Sequence, residues 1–183
     1  MQFKYIVIIL SLFVVGGCCN LHYVQPTHKF PKDVVGVWEA QVGEMDKWGF
    51  KFESDGTISK IVHSVFGPIN IAQKGVYQDG PDPNTFLAVQ LGDCVADYNE
   101  ISNILSVRVV VDSYTMALPQ GEISGRIEDV IIGKVDLKTK VWNANWWNYG
   151  ELEGGQKPDK DLIMKNPEKL LFHKLNFSSN RKT

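Results

Sequence analysis

"ILSVRVVVDSYTMALPQGEISGRIEDVIIGKVDLKTKVWNANWWNY", residues 104–149, decides the fold. Its apolar residues alternate: Leu105, Val107, Val109 and Val111 in one run, then Ile123, Ile127 and Ile131 in the next. Alternation gives a strand one greasy face, whereas a helix repeats its apolar positions every 3 or 4 residues or so, about 3.6 on average. Pro119-Gln120-Gly121 and the stretch Asp136 to Lys140 carry the turn residues. Three long strands, 104–118, 122–135 and 141–149, are therefore predicted to fold back on one another as an antiparallel meander.

Outward from that meander the same period continues in shorter runs. Val34 to Val42, Lys47 to Glu53, Thr57 to Phe66, Ile69 to Tyr77 across Gly67-Pro68, and Thr85 to Tyr98 past a bulge at Gly92 are predicted strands. Ser54-Asp55-Gly56 reads as a hairpin, because Asp-Gly accepts the positive φ angles of a primed turn. Asn99 to Asn103 reads as a turn and Pro158 to Asn166 as a short helix. Lys169 to Leu175 reads as a closing strand, since an open meander would expose a long edge. A second helix, capped by Asn166 with Pro167 in its first turn, is the alternative for that segment. The expected class is all-β: an up-and-down antiparallel barrel of about eight to ten strands over residues 33–176, with a short C-terminal helical segment and a tail at 177–183.

The N-terminus has a different composition. Lys4 precedes an apolar core from Tyr5 to Val15, about half the ~20 residues a spanning helix needs, so the plan is that of a secretory signal peptide. Val15-Gly16-Gly17-Cys18 resembles the lipobox of bacterial lipoproteins, in which cleavage precedes a cysteine that becomes diacylated. That resemblance implies a signal peptide over 1–17, lipidation at Cys18, a tether over 18–32, and a cell-envelope protein held on the membrane by its N-terminal lipid. Cys19 in place of an aspartate after Cys18 implies the outer membrane, facing periplasm or surface, in a host that sorts lipoproteins by that residue. An ordinary signal peptide or a short membrane anchor is the alternative.

Gly36-Val37-Trp38 at the first strand, with Phe50 and Phe52 alternating in the second before Asp55-Gly56, resembles the opening of lipocalins and of lipocalin-like (calycin-like) domains in bacterial lipoproteins. The resemblance implies a barrel whose closed end is plugged by Trp38 and whose interior takes a small, largely apolar ligand. Asp97-Tyr98 resembles the family's aspartate-tyrosine turn motif, without its second tyrosine. The arginine that covers the tryptophan in that family is missing from the last strand, where Lys174 or Lys169 is the nearest substitute.

Composition narrows the function classes. A formal net charge of −2, made more acidic by loss of Lys4 with the leader, offers no basic patch for nucleic acid. The four histidines are dispersed and form no ligand pair, so neither a metal nor another cofactor is expected. Cys94 stands in a Gly92-Asp93-Cys94 bulge with no histidine nearby, the setting of a buried thiol. With no nucleophile elbow, Walker loop or zinc-protease motif, an enzyme is not expected.

The expected ligand wall is Trp38, Phe50, Phe52, Val109, Ile127, Trp142 and Trp146. Polar candidates lie on the meander. With Pro119-Gln120-Gly121 as the whole loop, Asp112 faces Glu128 and Tyr114 faces Arg126, a cluster suited to hold a ligand carboxylate or simply to be solvated. Asp129 is the anomaly on the apolar face: at a mouth, hydrogen-bonded to a loop, or functional. Asn143, Asn145, Trp147 and Tyr149 share a face that resembles sugar-binding platforms. The alternative function is accordingly a structural or partner-binding envelope module with a filled barrel, meeting an envelope protein or glycan through an exposed aromatic face.

Overall fold

The computed structural model describes residues 29–44, 46–82, 84–152 and 167–175. The expected leader, Cys18, the expected tether through His28, the helix expected over 158–166 and the expected tail at 177–183 lie outside the described residues. Ten strands follow in order: β1 (Gly36–Val42), β2 (Asp46–Phe52), β3 (Ile58–His63), β4 (Gly67–Ile69), β5 (Gly75–Asp79), β6 (Phe86–Asn99), β7 (Ile104–Leu118), β8 (Gly121–Asp136), β9 (Val141–Leu152) and β10 (Glu168–Lys174). The described residues contain no helix.

All ten strands form one antiparallel sheet in the order β4-β3-β2-β1-β10-β9-β8-β7-β6-β5. β10 is a strand and closes the sheet between β1 and β9. The two ends approach through the β4–β5 turn, where Asn70 bridges Gly75 and Leu91 N–H donates to Lys74 O at 2.7 Å. The result is a nearly closed barrel.

The run Ile69–Tyr77 is two strands, not one. Asn70 Oδ1 accepts Gln73 N–H at 3.1 Å and folds the chain back, and Lys74 takes a φ of 53°. Pro68 stays within β4, an edge strand on which a missing N–H costs no ladder bond. The Asp55-Gly56 hairpin forms a three-residue loop closed by Glu53 N–H donating to Thr57 O at 2.9 Å. Only Gly56 has positive φ there, at 89°, so the turn is not the primed type.

The long meander keeps its expected strands but not its register. Leu118 pairs with Gly121, leaving Pro119-Gln120 as a two-residue loop. A bulge after Val111 then slips the ladder, so Val111 faces Ile127 and Tyr114 faces Gly125. The β6 bulge expected at Gly92 lies beside this one, and a Cβ on Gly92 would come within 2.5 Å of Asp112 Oδ1.

Trp38 is fully buried, with its indole N–H donating to Val34 O at 2.7 Å. Lys174, its cross-strand partner, reaches the carbonyls of Asp33 at 2.9 Å and Lys32 at 3.3 Å. Its stem passes Gly36, where a Cβ would stand 3.0 Å from Lys174 Cε. Burial lowers the Lys174 ammonium below the ordinary lysine range.

Candidate functional site

The inner face of the sheet is occupied by its own side chains. Trp142 stacks on Phe172 at 4.3 Å, Phe50 on Trp48 at 5.5 Å and on Phe52 at 5.9 Å, and Trp48 meets Trp146 edge-on at 5.7 Å. Of the seven residues expected to line a cavity, Trp38, Phe52, Val109 and Trp142 have 0% of their surface accessible and Phe50 has 1%. A side chain with no accessible surface faces neither solvent nor a void that admits water. Ile127 at 9% and Trp146 at 5% are scarcely more open.

Among those rings sits the fully buried Asp129, held on β8 by the alternation that faces Ile127 and Ile131 inward. Its Oδ1 accepts the Trp146 indole N–H and the Asn148 amide, each at 2.7 Å. Its Oδ2 meets His63 Nε2 at 2.9 Å, across the barrel from β3. Val65 N–H donates to His63 Nδ1 at 3.1 Å, so the hydrogen-bond network assigns the ring proton to Nε2. Trp48 and Phe66 pack against the imidazole, with ring centroids 4.5 and 4.7 Å away. Three donors converge on one carboxylate, which is how a buried charge is satisfied.

Both imidazole nitrogens are thus committed, and neither is free to take a proton from a nucleophile. The neighbouring Ser64 hydroxyl is buried without a hydrogen-bond partner, as are the Trp48 and Trp142 indole N–H groups. Among the described residues no group of three or more His, Cys, Asp or Glu could hold a metal ion. Burial pushes the Cys94 thiol up to about 12, the behaviour of an inert thiol.

The polar cluster anticipated on the meander does not assemble, because the slipped register separates it. Val110 stands opposite Glu128, and Arg126 opposite Glu151. Asp112 is exposed in the bulge, while Tyr114 turns inward against Phe66 at 5.3 Å. Glu128 instead pairs with Arg108, whose Nε lies 2.8 Å from Oε1. Neither His63 nor Asn148 is marked in the sequence as a partner of Asp129, nor Trp48 as the ring that packs on His63. Alternation along β9 carried a signal for Asn148, two residues beyond Trp146, but nothing local to His63 marks a partner 66 residues away.

The outer face of β8–β10 has a different character. Register sets Lys134, Asn143 and Leu171 in one row, Ile132, Asn145 and Lys169 in the next, then Val130 with Trp147, and Glu128 with Tyr149. Tyr149 is 48% exposed, Leu171 51% and Ile132 38%, while Trp147 is half-buried. An open groove of about 830 Å³ lies at the β8–β9 turn beside Leu171. A smaller apolar recess of about 390 Å³ lies at the opposite end, between the loop of the β5–β6 hairpin and the β7–β8 turn.

Comparison with family models, curated proteins and solved structures returns no match to this chain. The class is therefore defined by the coordinates alone: an all-β, antiparallel, nearly closed ten-stranded barrel braced inside by a His–Asp pair.

Proposed function

We propose that this chain is a lipid-anchored cell-envelope module with a filled barrel, binding an envelope glycan through the outer aromatic and amide face of β9. The observation that carries this reading is the packed interior: the residues best suited to line a cavity have almost no surface to offer, whereas Trp147, Tyr149, Asn143 and Asn145 share the outward face. Sugar rings stack on aromatic faces while amides bond their hydroxyls. The Cys18 anchor rests on the lipobox-like Val15-Gly16-Gly17-Cys18. The lipocalin-like label rests on Gly36-Val37-Trp38, with the Trp38 indole buried and bonded to Val34 O.

The test is titration of the full chain, in neutral detergent, with soluble peptidoglycan fragments and envelope polysaccharides, read by tryptophan fluorescence and calorimetry. Saturable binding that is lost in W147A and Y149A with unchanged melting supports the reading, and its absence across the panel rejects it. Intact mass of membrane-extracted protein tests the anchor separately, through acyl mass that disappears in C18S.

A second reading, a small apolar ligand held by the barrel, is favoured by the recess at the hairpin tips, walled by Phe86, Leu87, Met116 and Leu118. There the ligand sits at the mouth and not among the indoles. Native mass spectrometry of the purified chain would then show a co-purified molecule, displaced in M116D.

A further inference from the structure

We propose that the groove at the β8–β9 turn is a binding site for an anionic membrane phospholipid. Its walls are Leu137, Val141 and Leu171, and Leu171 is 51% exposed in the middle of a strand face. An apolar side chain so placed gains by covering an acyl chain. The volume, about 830 Å³, lies in the range of sites that take small ligands.

The charge around this wall is mainly positive. Lys134 and Lys138 are both exposed groove residues, and Lys169 lies one row further along the same face. The single carboxylate in the groove, Asp136, is already engaged: its Oδ1 accepts the Lys138 and Thr139 backbone N–H groups at 2.9 and 3.2 Å. The Thr139 hydroxyl, together with those backbone N–H groups, holds it below the usual carboxylate range. The Asn143 amide adds a neutral donor between lysine and leucine. An apolar floor flanked by ammonium groups complements an acyl chain that ends in a phosphate.

The position fits a membrane as the source. Lys174 links the two elements at this end, its backbone N–H to Lys140 O at 3.1 Å and its ammonium to the carbonyls of Lys32 and Asp33. The groove therefore sits beside the point where the chain enters the barrel from Cys18. A fully extended tether from there to Lys29 reaches about 40 Å at most, so an anchored domain holds this end near the bilayer. This geometric support rests on the anchor reading, but the apolar and charged complementarity does not. The groove borders the glycan face and shares Asn143 with it, whereas the aromatic centre of that face, Trp147, lies four residues, roughly 13 Å, further along β9.

The experiment titrates the full chain in neutral detergent with dioctanoyl phosphatidylglycerol, dioctanoyl phosphatidylcholine and inorganic phosphate, read by calorimetry. Phosphatidylglycerol is expected to bind saturably, phosphatidylcholine at least about tenfold more weakly, and inorganic phosphate alone not to compete. Each groove lysine is worth about fivefold, so K134E/K138E should weaken phosphatidylglycerol binding roughly thirtyfold or more. L171D should weaken both lipids, and both variants should melt like the parent. Equal affinity for the two lipids, full competition by phosphate, or an unaffected K134E/K138E variant overturns the proposal. Failure of the anchor reading looks different: no acyl mass on Cys18, with the ratio between the two lipids unchanged.

Discussion

Asp129→Asn is the sharpest test of the brace inside the barrel. The replacement is isosteric, so its cost reports hydrogen bonding and charge, not volume. Trp146 and Asn148 both donate to Oδ1, which an amide oxygen can still accept. The amide nitrogen must then replace Oδ2 and point its N–H at His63 Nε2–H, a donor facing a donor 2.9 Å away. The ring cannot escape by moving its proton to Nδ1, because that nitrogen already accepts from Val65 N–H. One buried donor is left unsatisfied whichever tautomer forms, and the charge-assisted bond is lost. The unsatisfied buried donor and the lost hydrogen bond to a charged group together cost about 3–5 kcal/mol. For a domain of this size each kcal/mol moves the midpoint by about 2–4 °C, so the melting temperature should fall by roughly 6–20 °C. Urea unfolding of the full chain in neutral detergent, followed by tryptophan fluorescence, measures it. The double variant D129N/H63A removes the opposing donor, so it should cost clearly less than the two single changes added together. A D129N protein within about 0.5 kcal/mol of the parent, or an additive double variant, would refute the reasoning.

Three further outcomes follow from the same coordinates. W38F should cost about 1–3 kcal/mol more than W142F by urea unfolding, because Trp38 loses a 2.7 Å bond to Val34 O whereas the Trp142 N–H has no partner to lose. Stability should decline as pH rises from 9 toward 12: the unfolded Cys94 thiol ionises first and releases a proton that the folded state, raised to about 12, still holds. The early part of that decline, between pH 9 and 10, should vanish in C94A, as melting curves at stepped pH will show. Gly133→Ala should fail to fold or unfold far more easily, because its Cβ would lie 2.0 Å from Asn143 O and 2.4 Å from Ala144 Cα, both backbone atoms with nowhere to move. Circular dichroism and yield of soluble protein report it.

Much of the architecture was legible because alternation is a local property. The limits of β7 coincide with those expected, and β8, β9 and β10 differ by three residues or fewer at their ends. What stayed hidden depended on pairing. A loop shorter by one residue and a bulge at Asp112-Ser113 are each small on the chain, yet together they move Glu128 from Asp112 to Val110 and turn Tyr114 inward. Asp129 stood out as a carboxylate on an apolar face, but its main partner comes from β3, placed opposite only by closure of the whole sheet. The split of Ile69–Tyr77 leaves no mark on the alternation, because the turn is made by an Asn70 side chain inside an otherwise strand-like run.

The packed interior also sets an energetic bound on where a ligand can go. A molecule seated between Trp38 and Trp142 must displace at least two rings now in mutual contact, among them Trp142 at 4.3 Å from Phe172. Removing one such ring from a core costs about 3–5 kcal/mol, so vacating two costs about 6–10 kcal/mol before the ligand makes any contact. Micromolar binding releases only about 8 kcal/mol in total, so a guest there would have to make about twice the usual contact energy to be held at micromolar affinity. No such cost attaches to the outer face of β8–β10, where Leu171, Ile132 and Tyr149 already stand in water. Covering them gains roughly 25 cal/mol for each Å² removed from solvent and requires no rearrangement of the brace beneath. Recognition on this barrel is therefore cheapest on its outside.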